Sequence, residues 1–189
     1  MNIANKISTF RILNVPFLIA CLIYYSPEKD FLRFIALGIF SLAALSDAID
    51  GYIARKTKTK SSAGQILDPL ADKLLLISAF IFLSNIKNFP QAIYFPLWVT
   101  LIVISRDIMI LLGALVIFIV RQKIDIQPSK WGKFTTTFQM SSVIAVLLQW
   151  EFSFLLWTLA VLFTIISGID YIKRGVRLLY ALDSHRNNP

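Results

Sequence analysis

Apolar residues in this chain come in six runs, with most of the charge gathered between them. The runs lie near Ser8 to Tyr25, Phe31 to Ala54, Leu67 to Leu83, Tyr94 to Val120, Phe134 to Trp150 and Phe152 to Ile172. Each approaches the ~20 residues that carry a helix across the ~30 Å hydrocarbon core of a bilayer. No water reaches the backbone there, and a helix satisfies its own backbone groups. Composition agrees: 57% of the 189 residues are hydrophobic and mean hydropathy is +0.68, against roughly 45–50% apolar in soluble domains. The expectation is an all-α integral membrane protein with six transmembrane helices. No linker, internal repeat or low-complexity tract divides residues 1–189, which predicts a single domain.

Tyr24-Tyr25-Ser26-Pro27-Glu28 offers no small-residue cleavage pattern, so the first run is expected to stay as a helix rather than be removed as a signal peptide. Ahead of it, Ile3, Ile7 and Phe10 share one helical face, which fits a short N-terminal interfacial helix, with a frayed terminus as the alternative.

Basic residues orient the bundle. Lys6 and Arg11 precede or open the first span, and Arg55, Lys56, Lys58 and Lys60 fall between the second and third. Arg121, Lys123, Lys130 and Lys133 lie between the fourth and fifth, and Lys173, Arg174, Arg177 and Arg186 follow the sixth. The opposite loops hold only Lys29, Arg33 and Lys87, beside Glu28, Asp30 and Glu151. The positive-inside rule therefore predicts both termini in the cytoplasm. An anionic inner leaflet accounts for the net charge of +8, so no nucleic-acid partner is expected. The single Cys21 can form no internal disulfide and the single His185 sits in a polar tail, which argues against a histidine-ligated zinc or haem site.

Four acids break the apolar pattern: Asp47, Asp50, Asp68 and Asp72. A carboxylate at membrane depth costs at least ~2.5–3.5 kcal/mol, so such groups need partners. A divalent metal turns four separate penalties into one oxygen-rich site. Asp47 and Asp50 stand at i and i+3 and Asp68 and Asp72 at i and i+4, so each pair shares a helical face and two adjacent helices could form a cage. Gly51 and Ala54 remove bulk beside it, Gly64 permits close approach, and Arg55 offers a fixed cation for phosphate. A hydroxyl is a poor nucleophile, and Asp72 could accept its proton. Metal ligation by the same carboxylate competes with that role.

The run Asp-x2-Asp-Gly-x2-Ala-Arg-x8-Gly-x3-Asp-x3-Asp, from Asp47 to Asp72, resembles the signature of the CDP-alcohol phosphatidyltransferases at every fixed position. The resemblance implies six transmembrane helices and a site at the cytoplasmic face of the cell's inner membrane. It implies transfer of a phosphatidyl group from CDP-diacylglycerol to an alcohol, with release of CMP. By the same resemblance, Asp47, Asp50, Asp68 and Asp72 would hold two divalent ions, magnesium or manganese. Gly51, Ala54, Arg55 and Gly64 would line the CDP site, and Asp72 would be the general base. Homodimers are common in the family, so a homodimer is one expectation.

Other stretches are similar to the phosphatidylglycerophosphate synthases of that family. These are the opening Asn5-Lys6-Ile7-Ser8-Thr9-Phe10-Arg11, the wording Asp68-Pro-Leu-Ala-Asp72-Lys73, and Ser105-Arg106-Asp107 followed by Gly132-Lys133 and Thr137-x-Gln139. They imply glycerol-3-phosphate as acceptor, phosphatidylglycerol phosphate as product and a place in phospholipid biosynthesis. Lys73, Arg106 and Lys133 are the cations expected to bind the acceptor phosphate. A structural ion pair or a helix cap at a broken span is the other reading of Arg106-Asp107, and an interfacial anchor the other reading of Lys130-Trp131-Gly132-Lys133. Many such synthases have Arg-Glu where this chain has Arg106-Asp107, and the Arg-Asp form resembles cardiolipin synthases, whose acceptor is phosphatidylglycerol. A small cation transporter would also place acids at membrane depth, but would be expected to carry them nearer mid-bilayer and often within an inverted repeat.

Overall fold

A computed structural model describes the backbone of residues 3–57, 62–86, 94–121 and 130–186, and side chains within 9–46, 71–86, 94–113 and 130–175. Among the described residues there are six α-helices and no strand. They are α1 (Ile3–Ile23), α2 (Phe31–Thr57), α3 (Ser62–Asn85), α4 (Leu97–Arg121), α5 (Lys130–Leu147) and α6 (Ser153–Arg186), with one short 3-10 turn at Pro27–Lys29.

Two sequence expectations change here. The N-terminal residues form the first turns of α1 rather than a separate interfacial helix. No glycine or proline interrupts positions 3 to 15, so the backbone has no reason to break. Arg33, read as a loop cation, is a buried residue of α2. It donates from Nε and Nη2 to the two carboxylate oxygens of Asp30, both at 2.7 Å, and from Nη1 to the Leu147 carbonyl at 2.8 Å. That carbonyl belongs to the last turn of α5, where backbone acceptors need outside donors.

The fifth run also ends earlier than its hydropathy suggests. Gln149 adopts φ 54°, Trp150 N donates to Ala145 O and Gln149 N to Val146 O. These paired bonds form a Schellman stop, which usually recruits glycine at the left-handed position.

Around an apolar core, packing departs from that of a soluble protein in what else is buried and what is exposed. Arg11, Arg33, Arg106, Asp107, Thr135, Gln139, Ser142, Thr164 and Ser167 are buried. Phe10, Leu13 and Phe17 of α1, Leu42 and Leu45 of α2, Leu101 and Leu112 of α4, and Leu155, Leu162 and Ile169 of α6 face outward. So large an apolar exterior marks a surface made to meet lipid, with polar groups paired inside. The stretch Ser153–Gly175, of mean hydropathy 1.9, is long and apolar enough to cross a bilayer by itself, and shorter apolar stretches run over Thr9–Ile23 and Phe31–Ser46.

The core is a column of Leu18, Phe40, Leu76, Phe80, Val99 and Val146, with Phe80 and Phe95 stacked at 4.4 Å between centroids. Helix α1 packs against both α2 and α3, while α6 packs against α4 and α5. The first helix therefore supports both of the elements that carry the aspartates.

Candidate active site

Asp47, Asp50, Gly51, Ala54 and Arg55 lie on α2, and Gly64 and Asp68 on α3; their side chains fall outside the described residues. Helix α2 ends at Thr57 and α3 begins at Ser62, so all four acids belong to the halves of the two helices that meet at one short connection. Unbroken helix through Asp47 and Asp50, and through Asp68 and Asp72, keeps each pair on one face by backbone register.

Asp72 is the motif acid whose side chain is described. Arg11 of α1, only 1% exposed, donates from Nη1 to Asp72 Oδ1 at 2.5 Å. A guanidinium suits this position because its charge is permanent and its donors are rigidly arrayed. The sequence named Arg11 only as a basic residue and as part of an opening motif. An arginine inside an apolar run was the signal that it had a buried partner.

The residue after Asp72 starts a second network. Lys73 Nζ donates to Asp107 Oδ2 at 2.7 Å, and Arg106 Nη1 donates to Asp107 Oδ1 at 2.8 Å. Arg106 Nη2 also donates to Ser167 Oγ at 2.5 Å. One carboxylate thus joins two of the cations expected at the acceptor site, and Ser167 adds α6 to α3 and α4. Arg106 Nε is buried and has no hydrogen-bond partner among the described residues. Lys133 lies exposed near the start of α5, and among the described residues no contact joins it to this network.

Between α4 and α6 the Arg106 side chain borders an open groove of about 360 Å³ whose walls include Leu101, Met109, Ile165 and Ile169. Such a wall accepts hydrocarbon and offers a guanidinium at one place. Nearer the start of α5, Trp131, Phe134 and Phe138 cluster on Phe163 of α6, with Phe138 and Phe163 at 5.0 Å.

The sequence model of the CDP-alcohol phosphatidyltransferase family matches residues 1–166. The chain belongs to this family. Members are membrane enzymes, as the apolar exterior requires. Several relatives of this CDP-alcohol phosphatidyltransferase carry the name CDP-diacylglycerol--glycerol-3-phosphate 3-phosphatidyltransferase. The Aquifex aeolicus protein is 31% identical over 188 residues, covering 95% of this chain and 99% of its own. The Bacillus subtilis protein is 32% identical over 191 residues, with 92% and 95% covered. The Haemophilus influenzae protein is 30% identical over 182 residues, with 91% and 92% covered. These matches cover more than nine-tenths of the chain, so the similarity extends well beyond the signature.

Proposed function

We propose that this chain transfers the phosphatidyl group of CDP-diacylglycerol to glycerol-3-phosphate, giving phosphatidylglycerol phosphate and CMP in phospholipid biosynthesis. The uninterrupted signature from Asp47 to Asp72, carried on two helices joined end to end, is the observation that supports it most. The names of the relatives support the acceptor.

The donor set suits a hard divalent cation, because Asp47, Asp50, Asp68 and Asp72 offer only carboxylate oxygens. Two magnesium or manganese ions are proposed, which when bound would offset pyrophosphate charge and polarise the attacked phosphorus. Gly51, Ala54 and Gly64 would leave room for the CDP moiety, and Arg55 would bind its phosphate. Arg106 and Lys73, with Lys133, would hold the acceptor phosphate, and Arg106 Nε, which has no hydrogen-bond partner among the described residues, supplies a donor for it. The acceptor hydroxyl oxygen forms a bond to the phosphatidyl phosphorus as the bond to the bridging oxygen of CMP breaks. CMP leaves with that oxygen, and the hydroxyl proton passes to Asp72.

All six helices are proposed to cross the membrane with both termini and the site on the cytoplasmic side of the inner membrane. The basic residues Arg55, Lys56, Lys58 and Lys60 beside the signature support this orientation, and the ion pair of Arg33 with Asp30 offsets one cation on the opposite side. A homodimer is the proposed assembly, on the habit of the family.

The test is an assay with labelled CDP-diacylglycerol and magnesium, offering glycerol-3-phosphate, phosphatidylglycerol, inositol phosphate and serine in turn. Label in phosphatidylglycerol phosphate, with glycerol-3-phosphate alone effective, is the expected result. Label incorporated with phosphatidylglycerol but not with glycerol-3-phosphate would replace this reading with cardiolipin synthesis.

A further inference from the structure

Asp107 is fully out of solvent, yet it is bonded on both oxygens by cations from different helices. Successive residues of a helix point in different directions, so Arg106 does not meet Asp107 by default. Its guanidinium is turned back onto its neighbour, and Ser167 of α6 receives the other terminal nitrogen. Lys73 reaches the same carboxylate from α3, one residue beyond Asp72. Two cations and one anion leave a net charge of +1 on the cluster, and Arg106 retains a buried donor with no partner among the described residues. A cluster built only to neutralise Arg106 would need neither the lysine nor the open donor.

We infer that Asp107 is the positioning residue of the acceptor site, its carboxylate holding the Arg106 guanidinium and the Lys73 ammonium at the separation a phosphate monoester requires. The role rests on the acceptor reading given above. Asp107 itself repels the substrate, so it acts through the two cations. Without its charge the lysine, on a flexible stem, swings away, and the guanidinium is fixed by Ser167 alone. The loss falls on acceptor binding, since among the described residues the network joins Lys73, Arg106, Asp107 and Ser167, while Asp72 is bonded to Arg11. A carboxylate that merely fastened α3 to α4 would, when lost, lower stability and move all kinetic constants together.

The experiment measures KM for glycerol-3-phosphate, KM for CDP-diacylglycerol and kcat on the purified full chain with magnesium. Asp107→Asn is expected to raise the acceptor KM at least tenfold, with kcat and the donor KM within about threefold of the parent. Asp107→Glu, which keeps the charge, is expected to restore the acceptor KM to within about threefold. An unchanged acceptor KM in folded Asp107→Asn, or parallel changes in all three constants, overturns the positioning role. Should Asp107→Asn not fold, Lys73→Met alone is compared with Lys73→Met paired with Asp107→Asn, which removes one cation together with the anion: a further rise in acceptor KM of at least threefold in the pair supports the role, and equal values overturn it. Arg106→Ala separates the two claims. If it leaves the acceptor KM unchanged, the acceptor reading itself fails; if it raises that KM while Asp107→Asn does not, only the role of Asp107 fails.

Discussion

Arg11 and Asp72 meet at 2.5 Å across the contact between α1 and α3, the arginine almost wholly buried and the aspartate about one-fifth exposed. The last acid of the signature is therefore held from outside the signature. Replacing Arg11 by Ala is expected to lower kcat about 100-fold, the scale at which a positioned acid or base acts. Arg11→Lys should recover part of this, because it keeps the charge and loses the planar fork. Initial rates at saturating substrate, on protein that elutes as the parent does, give the measure. Normal kcat in folded Arg11→Ala would reduce the pair to a tie between helices.

Asp50 stands in the middle of the signature. Asp50→Asn is expected to abolish turnover and the part of CDP-diacylglycerol binding that depends on magnesium. Chelation of the parent enzyme should have the same effect, reversed by magnesium or manganese. Donor binding measured with and without the ion checks both, and near-normal activity in the variant would remove the metal assignment.

At the other end of the bundle, Arg33 hydrogen-bonds Asp30 and holds its carboxyl below the usual carboxylate range. A depressed folded value stabilises the protein above the ordinary unfolded value of ~3.9 and ceases to do so as pH falls through the folded value. Asp30→Asn should therefore melt slightly below the parent at pH 7, with the difference vanishing in acid. Thermal unfolding in detergent across that range tests it; a difference independent of pH would mean that charge has no part in it.

Buried packing and buried hydrogen bonds should separate cleanly by size. Phe80, fully buried and stacked on Phe95, is expected to cost about 3 kcal/mol or more on truncation to Ala through the cavity left behind. Gln139 Nε2 donates to Thr164 Oγ1 at 3.3 Å between α5 and α6. Bonds of this kind average only ~0.6 kcal/mol inside membranes, so Gln139→Leu should cost less than about 1 kcal/mol. Denaturant titration of the two variants gives the ranking, and an equal loss from both would contradict it.

What the sequence made legible was local. Each apolar run falls largely within one helix, because hydropathy and length act within one segment. The pairing of acids at i, i+3 and i, i+4 was readable for the same reason. The end of α5 was not, since Gln149 takes a left-handed position where glycine is the usual cue. Nor was Arg33, whose place in the chain resembles a loop but whose donors reach Asp30 and the Leu147 carbonyl, more than a hundred positions away. Lys73 and Arg106 could be named from their charge, whereas their meeting on Asp107 depends on how α3, α4 and α6 lie together. The edge-on contact of Trp157 with Trp98 at 5.7 Å depends on the same arrangement of α4 and α6.

Helix α1 leans on both acid-bearing helices at once, which makes it the keystone of the arch rather than an anchor at its edge. A chain deprived of it would keep every letter from Asp47 to Asp72 and still have nothing to brace them, so bulky fusions at the amino terminus belong beyond a generous spacer.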